Sequence, residues 1–220
     1  MKKNIFIIFC IMLVLTLLLI VYAMYIFNNI PHKTYYNNED FNIQTYISKI
    51  DKDEDGTDDQ TDILNNVKKY IATNPKYKSK YYTNGYPDDE YGVCTDVIAF
   101  GLKDAGYDLM ELVNEDIINH PEEYDIEVID KNIDFRRVKN LNIYFKNNSI
   151  SLTTDLSQIE EWQGGDIVVF KGHIGIISDK RNKNGVPFLI HHANPIQVNY
   201  EEDVLELYGQ DFIIGHYRVS

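Results

Sequence analysis

From Ile5 to Phe27 the chain runs for 23 residues without a charged side chain, its polar interruptions confined to Thr16, Tyr22 and Tyr25. As a helix this stretch measures roughly 34 Å, enough to cross a hydrocarbon core of about 30 Å. Lys2 and Lys3 precede it, and the positive-inside bias keeps such lysines in the cytoplasm, with Tyr22 and Tyr25 at the outer aromatic belt. The sequence thus predicts a signal anchor over residues 1–27, a single pass through the cell membrane by residues 5–27, and an extracytoplasmic C-terminal domain. Val21-Tyr22-Ala23 also fits a signal-peptidase site, so secretion after cleavage stays open. Cys10 lacks the preceding Leu-small-small residues of a lipoprotein signal.

This topology gives meaning to the two cysteines. Cys10 falls within the span, which leaves Cys94 as the one thiol of the exported part. Exported domains usually pair or avoid cysteines, so a single one is either a reactive thiol or a small buried hydrophobe. The charge balance is also informative: 34 acidic residues oppose 21 basic ones, which excludes nucleic acid as a partner, because phosphate backbones are bound by surplus Lys and Arg.

Residues 28–50, rich in Asn and Tyr, read as a stalk or linker. Residues 51–62 then set Asp51, Asp53, Asp55, Asp59 and Asp62 at positions 1, 3, 5, 9 and 12 of an EF-hand-like loop, with Gly56 at position 6 and the Thr57 carbonyl at position 7. Calcium takes six to eight oxygens, and the glycine allows the turn on which they converge. Seven acids in twelve residues repel one another without a cation, so the expected cofactor is a structural Ca2+; the alternative is a solvated acidic linker. Asp62 is one methylene shorter than the usual Glu, and Asp58 replaces the aliphatic residue that ties paired loops together, which suits an unpaired extracellular loop. Ile63, Leu64, Val67, Tyr70 and Ile71 follow at helical spacing.

A second helix is predicted from Val97, Ile98, Gly101, Leu102 and Ala105, ending near Gly106. Cys94 lies at its N-terminus, where N–H groups and the dipole favour thiolate. Further helical spacing occupies Leu109–Ile117 and Val138–Phe145. From Trp162 onward the period changes: 166–170, 173–178 and 186–192 are β-rich runs. Helices followed by antiparallel strands make the class α+β. Alternation sets His173, Gly175 and Ile177 on one sheet face, with Leu189 and His191 on one face of the next strand. A Cys94 helix packed there unites nucleophile, base and orienting group.

Three blocks resemble the strands of NlpC-type papain-like cysteine peptidases, which are bacterial cell-wall endopeptidases: Trp162-Gln163-Gly164-Gly165-Asp166-Ile167-Val168-Val169-Phe170, Gly172-His173-Ile174-Gly175-Ile176-Ile177-Ser178 and Leu189-Ile190-His191-His192-Ala193. More closely, Gly92-Val93-Cys94-Thr95-Asp96-Val97, Asp134-Phe135-Arg136-Arg137-Val138 and Gly215-His216-Tyr217-Arg218 resemble a family of exported bacterial proteins known as a domain of unknown function within that superfamily. The resemblance covers residues 51–220 and implies a papain-like fold over 63–220, its helices packed on a small antiparallel sheet. It also implies Cys94 as nucleophile, His173 as general base and acid, and His191 as third polar residue, with His192 or Asn194 as alternatives for the last role. The superfamily motif carries Asp before the cysteine and Ser-Gly after it; here Val93 and Thr95-Asp96 stand instead.

The expected function is a membrane-anchored extracytoplasmic cysteine hydrolase that cleaves an amide, with peptidoglycan peptides as substrate by resemblance and location. Arg136 and Arg137 read either as solvated helix charges or as partners of a substrate carboxylate. Other classes fit the same sequence: a non-hydrolytic thiol acyltransferase, a binding module, or a calcium-dependent adhesion or structural protein.

Overall fold

The computed structural model describes the backbone of residues 2–29 and 35–219, and the side chains of Phe9, residues 11–23 and residues 35–219. Two compact units divide there. The first is helix α1 (Lys2–Asn29), whose described side chains include the exposed Leu13, Leu17 and Ile20. Among the described residues no helix is long and apolar enough to cross a membrane. The span predicted over 5–27 draws on the side chains of residues 5–8, 10 and 24–27, which lie outside the described residues.

In the second unit, α2 (Asp59–Ile71) starts at Asp58, whose carboxylate accepts from the Thr61 N–H and so caps the helix. Strands β1 (Lys76–Tyr77) and β2 (Tyr91–Gly92) form a short parallel pair. Helix α3 (Cys94–Lys103) follows, then α4 (Leu109–Asn119), the single turn α5 (Lys131–Asp134) and α6 (Val138–Asn148). The remaining elements are β3 (Ile150–Ser151), β4 (Ile167–Phe170), β5 (His173–Arg181), β6 (Pro187–Ile190), β7 (Glu201–Glu202), the single turn α7 (Leu205–Tyr208) and β8 (Ile213–Arg218). Six of these strands form one antiparallel sheet in the order β3-β8-β4-β5-β6-β7. The α+β class expected from the sequence is the observed one.

The central strands are apolar on both faces, so they read as runs such as Ile167-Val168-Val169-Phe170 rather than as alternation. One face, with Ile167, Val169, Ile174, Ile176 and Ile190, packs in one core with Ile63 and Val67 of α2 and Val97, Ile98 and Leu102 of α3. The other, with Val168, Phe170, Ile177, Leu189 and Ile213, is covered by Trp162 and Leu205. The predicted docking of the Cys94 helix on the face of His173, Gly175 and Ile177 is thereby corrected. Gly175 offers no bulk, and a Cβ there would lie 2.7 Å from Leu189 Cδ1, so the isoleucines of the opposite face take the helix. Close approach of α2 and α3 depends on Gly101, where a Cβ would meet Val67 Cγ2 at 2.3 Å.

The stalk predicted over 28–50 is corrected as well. Residues 30–34 lie outside the described residues, but from Tyr35 the chain belongs to the compact unit. Tyr36 exchanges two 2.7 Å backbone hydrogen bonds with Arg181, and the Asn38 side chain bonds Arg181 and Gln163. Asn-rich composition suggests a linker, yet here the Asn38 amide satisfies the buried Arg181 and Gln163.

Asp166 joins the helices to the sheet. Fully buried, it accepts from Arg218 Nε and Nη2 at 2.7 Å each, from Gln60 Nε2 of α2 at 2.9 Å and from the Gln163 N–H at 2.8 Å. His216 Nε2 lies 3.2 Å away, its ring stacked on Trp162 at 3.8 Å. Removing one partner of such a pair strands the other charge in a dry core. Asp166→Ala is expected to lower unfolding stability by about 3–5 kcal/mol in urea denaturation; a loss below about 1 kcal/mol would show that Asp166 does not hold the sheet and α2 together.

Candidate functional site

Cys94 is a half-buried free thiol and the first residue of α3. The helix begins there because the Asp96 carboxylate turns back to accept from the Val93 N–H at 2.8 Å, satisfying one of the donors that a helix start exposes. Burial pushes the thiol up to about 11; the N–H groups of Ile174 and Thr95 oppose this, and the Asp96 charge reinforces it. The thiolate expected from the helix dipole is therefore disfavoured in the resting protein, because desolvation outweighs the helix start. Since the Ile174 N–H bears on the sulfur, the thiol sits beside the start of β5, at the residue after His173.

His173 Nε2 lies 2.8 Å from His191 Nδ1, and His191 Nε2 lies 3.1 Å from Glu202 Oε2. The same carboxylate oxygen accepts from Gln197 Nε2 at 3.1 Å, and that amide also bonds the His191 carbonyl. A carboxylate only accepts, so His191 carries its proton on Nε2 and presents a bare Nδ1. His173 must then donate from Nε2, which leaves the lone pair of its Nδ1 free to take a proton. Burial lowers both imidazoles to about 4, helped at His173 by the neighbouring His191 and His192. Both are neutral at pH 7, the form in which a histidine serves as base.

Of the three candidates for the third position, the structure brings His191 to His173. Strand β6 ends at Ile190, and the His191 N–H pairs with the Tyr200 carbonyl at 2.8 Å. His192 instead packs edge-on against Tyr77 and Tyr200, and Asn194 accepts from the Ile196 N–H within its own turn. Glu202 and Gln197 were missed by sequence reasoning. The pairing of the two-residue β7 with β6 delivers Glu202, through the Ile190–Glu201 and Leu189–Glu202 register, and the Ala193 N–H, donating to Gln197 Oε1, holds the amide in place.

Arg136 and Arg137 part company. Arg136 is buried and grips Asp96 with two bonds, Nε to Oδ1 at 2.6 Å and Nη2 to Oδ2 at 2.9 Å, while Nη1 donates to the Lys80 carbonyl at 2.6 Å. It is neither a solvated charge nor free for a substrate carboxylate. Arg137 is exposed and stands 3.6 Å from Asp134.

In the acidic loop, carboxylate oxygens of Asp51, Asp53 and Asp55 lie within 4.8 Å of one another. Gly56, at φ +95°, donates to Asp51 Oδ2 at 2.9 Å, and Thr57 donates its N–H to Asp55 Oδ1 at 2.8 Å. Asp59, predicted as a ligand, is engaged elsewhere: its oxygens accept from the Lys52 N–H and the Tyr107 hydroxyl. Its place in the first turn of α2 turns it into the protein, away from the three clustered acids. Asp62 stands three residues further on in the same first turn, where the charges of Asp55, Asp53 and Asp51 bear on it.

An antiparallel sheet flanked by helices, with a thiol at a helix start against Ile174 and a histidine relay that begins at the preceding residue, His173, defines an α+β protein with a candidate thiol site. Residues 64–219 match the family described as Domain of unknown function (DUF1287), and the chain belongs to that family. It is also similar to Uncharacterized protein YijF of Escherichia coli (strain K12), at 34% identity over 153 residues, which cover 66% of this chain and 72% of that protein. Cys94, His173, His191 and Glu202 all fall inside the matched region, whereas the acidic loop precedes it.

Depressed histidines make the relay sensitive to acid. An unfolded imidazole protonates near 6.5, so the stabilising neutral form is intact above that pH and its contribution is lost as pH falls toward about 4. Nitrogen NMR is expected to show both rings neutral from pH 8 to pH 5.5, each with its proton on Nε2. Glu202→Ala should break this single tautomer pattern; an unaltered pattern would remove Glu202 from the relay.

Proposed function

We propose that the chain is a cysteine hydrolase of papain-like, NlpC-type fold. Residues 5–27 hold it in the cell membrane, its catalytic part faces the outside, and it cleaves an amide in a cell-wall peptide. The observation that carries this reading is the Glu202–His191–His173 relay, whose tautomers leave His173 Nδ1 as a free base at the start of β5, one residue before Ile174, whose N–H bears on the Cys94 sulfur. The superfamily placement rests on the sequence blocks around Cys94, His173 and His191, and the anchor on the uncharged run with its preceding lysines.

The chemistry follows from two neutral partners. With the thiol raised and the imidazole lowered, a resting thiolate–imidazolium pair is disfavoured, so proton transfer accompanies attack. As sulfur bonds to the carbonyl carbon, His173 Nδ1 takes the thiol proton and the Nε2 proton stays with His191. The tetrahedral oxyanion is met by N–H groups at the start of α3. The carbon–nitrogen bond then breaks, His173 gives its proton to the departing amine, and a thioester remains. Water, deprotonated by the same Nδ1, releases the acid, and the proton returns to sulfur. Glu202 acts through His191 and is a positioning residue. The raised thiol favours one second reading, a binding module that retains the arrangement without turnover.

Incubation of the full chain with muropeptides should yield new amino and carboxyl termini. Cys94→Ala should reduce the rate on the order of 10⁴-fold or more, as loss of a nucleophile does. Glu202→Ala should reduce it about 10- to 100-fold, a share of what general acid–base catalysis contributes. Identical product profiles for the wild type and Cys94→Ala would overturn the hydrolase.

A further inference from the structure

We propose that Asp51, Asp53, Asp55 and Asp62 hold one calcium ion, which fastens the acidic loop to the first turn of α2. Three clustered carboxylates alone would not carry this, since exposed acids gather on many surfaces. Asp62 supplies the second observation. It is 8% exposed, its Oδ2 is buried without a hydrogen-bond partner, and the charges bearing on it are those of Asp55, Asp53, Asp51 and Asp58, all acids. A buried carboxylate oxygen left without a donor is costly, and a ring of like charges raises the cost. A divalent cation between Asp62 and the three clustered acids removes both penalties at once.

The spacing selects the ion. Positions 1, 3, 5 and 12 of the loop give carboxylate oxygens, the Thr57 carbonyl stands at position 7, and Gly56 makes the turn between them. Ca2+ accepts six to eight oxygens in flexible geometry, with water completing a set supplied by short Asp side chains; Mg2+ demands a stricter octahedron. Asp59 stays out of the set, held by the Lys52 N–H and Tyr107. The mechanical consequence runs through α2. Gln60, between Asp59 and Asp62, donates to the Gly164 carbonyl and to Asp166, and α2 packs on α3, which carries Cys94. The loop precedes residues 64–219, so this brace is added to the part of the chain that matches the family.

Titration of the EDTA-treated full chain with CaCl2 is expected to show one ion per chain, with a dissociation constant in the range of about 10⁻⁴ to 10⁻³ M and a rise of a few degrees in melting temperature near saturation. Asp53→Asn combined with Asp55→Asn should abolish both responses. Asp62→Asn removes one repelling charge, so in EDTA it should melt no lower than wild type while binding calcium at least tenfold more weakly. A wild type without saturable response, an Asp62→Asn chain that binds as tightly as wild type, or one that melts lower in EDTA would overturn the site.

Discussion

The Asp96–Arg136 pair fixes the start of α3, and the position of the thiol depends on that start. Both side chains are almost wholly removed from water, at 0% and 2% exposure, so their geometry must recover what desolvation costs. It does so by leaving few idle groups. Asp96 takes two bonds from the guanidinium and one from the Val93 N–H, and Arg136 gives its remaining nitrogen to the Lys80 carbonyl. One pair therefore ties together the segment that leads to Cys94, the first turn of α3 and the chain that leaves α5. Burial keeps the thiol protonated at rest, and the same carboxylate, two residues away, adds to that effect.

The histidine relay follows a different electrostatic rule. Arg136 and Arg218 are each gripped by two bonds to a buried carboxylate, whereas His173 and His191 are kept neutral by burial, with Glu202 meeting only the second ring. Neutrality is what gives the relay a direction. Each imidazole must donate from one nitrogen and accept at the other, and the acceptor-only oxygen of Glu202 decides which. A single surface strand of two residues thus sets the proton positions on two buried rings.

Much of this was legible in the sequence, and what was not has a common cause. The helix signals at Ile63–Ile71, Leu109–Ile117 and Val138–Phe145 all correspond to helices, and the three β-rich runs all correspond to strands. Cys94 stands at the helix start expected of it, and His173 meets His191 as the strand alternation suggested. Strand β8 was not found by period, because His216 and Arg218 are polar residues in a buried strand, paid for by Asp166 across 50 and 52 positions of sequence. Glu202 was hidden for a related reason: a strand of two residues has no period. Local patterns report apolar faces; polar pairs that close only in three dimensions leave no local trace.

Arg181 sharpens where the domain physically begins. Its side chain is 1% exposed and meets no carboxylate directly; its donors go to Asn38 Oδ1 at 2.6 Å and to the carbonyls of Ile159, Gly185 and Trp162. Burial lowers it only to about 10, so it remains charged at neutral pH, and every donor that loses its acceptor leaves that charge less compensated. Asn38 lies 26 residues before the start of the family match at residue 64, and Gln60, which reaches Asp166, also lies before it. A chain cut at residue 64 would keep the matched sequence and lose polar partners of both buried hubs. The folding unit is set by the satisfaction of Arg181 and Asp166, and on that criterion it starts at or before Tyr36, whose backbone pairs with Arg181 itself.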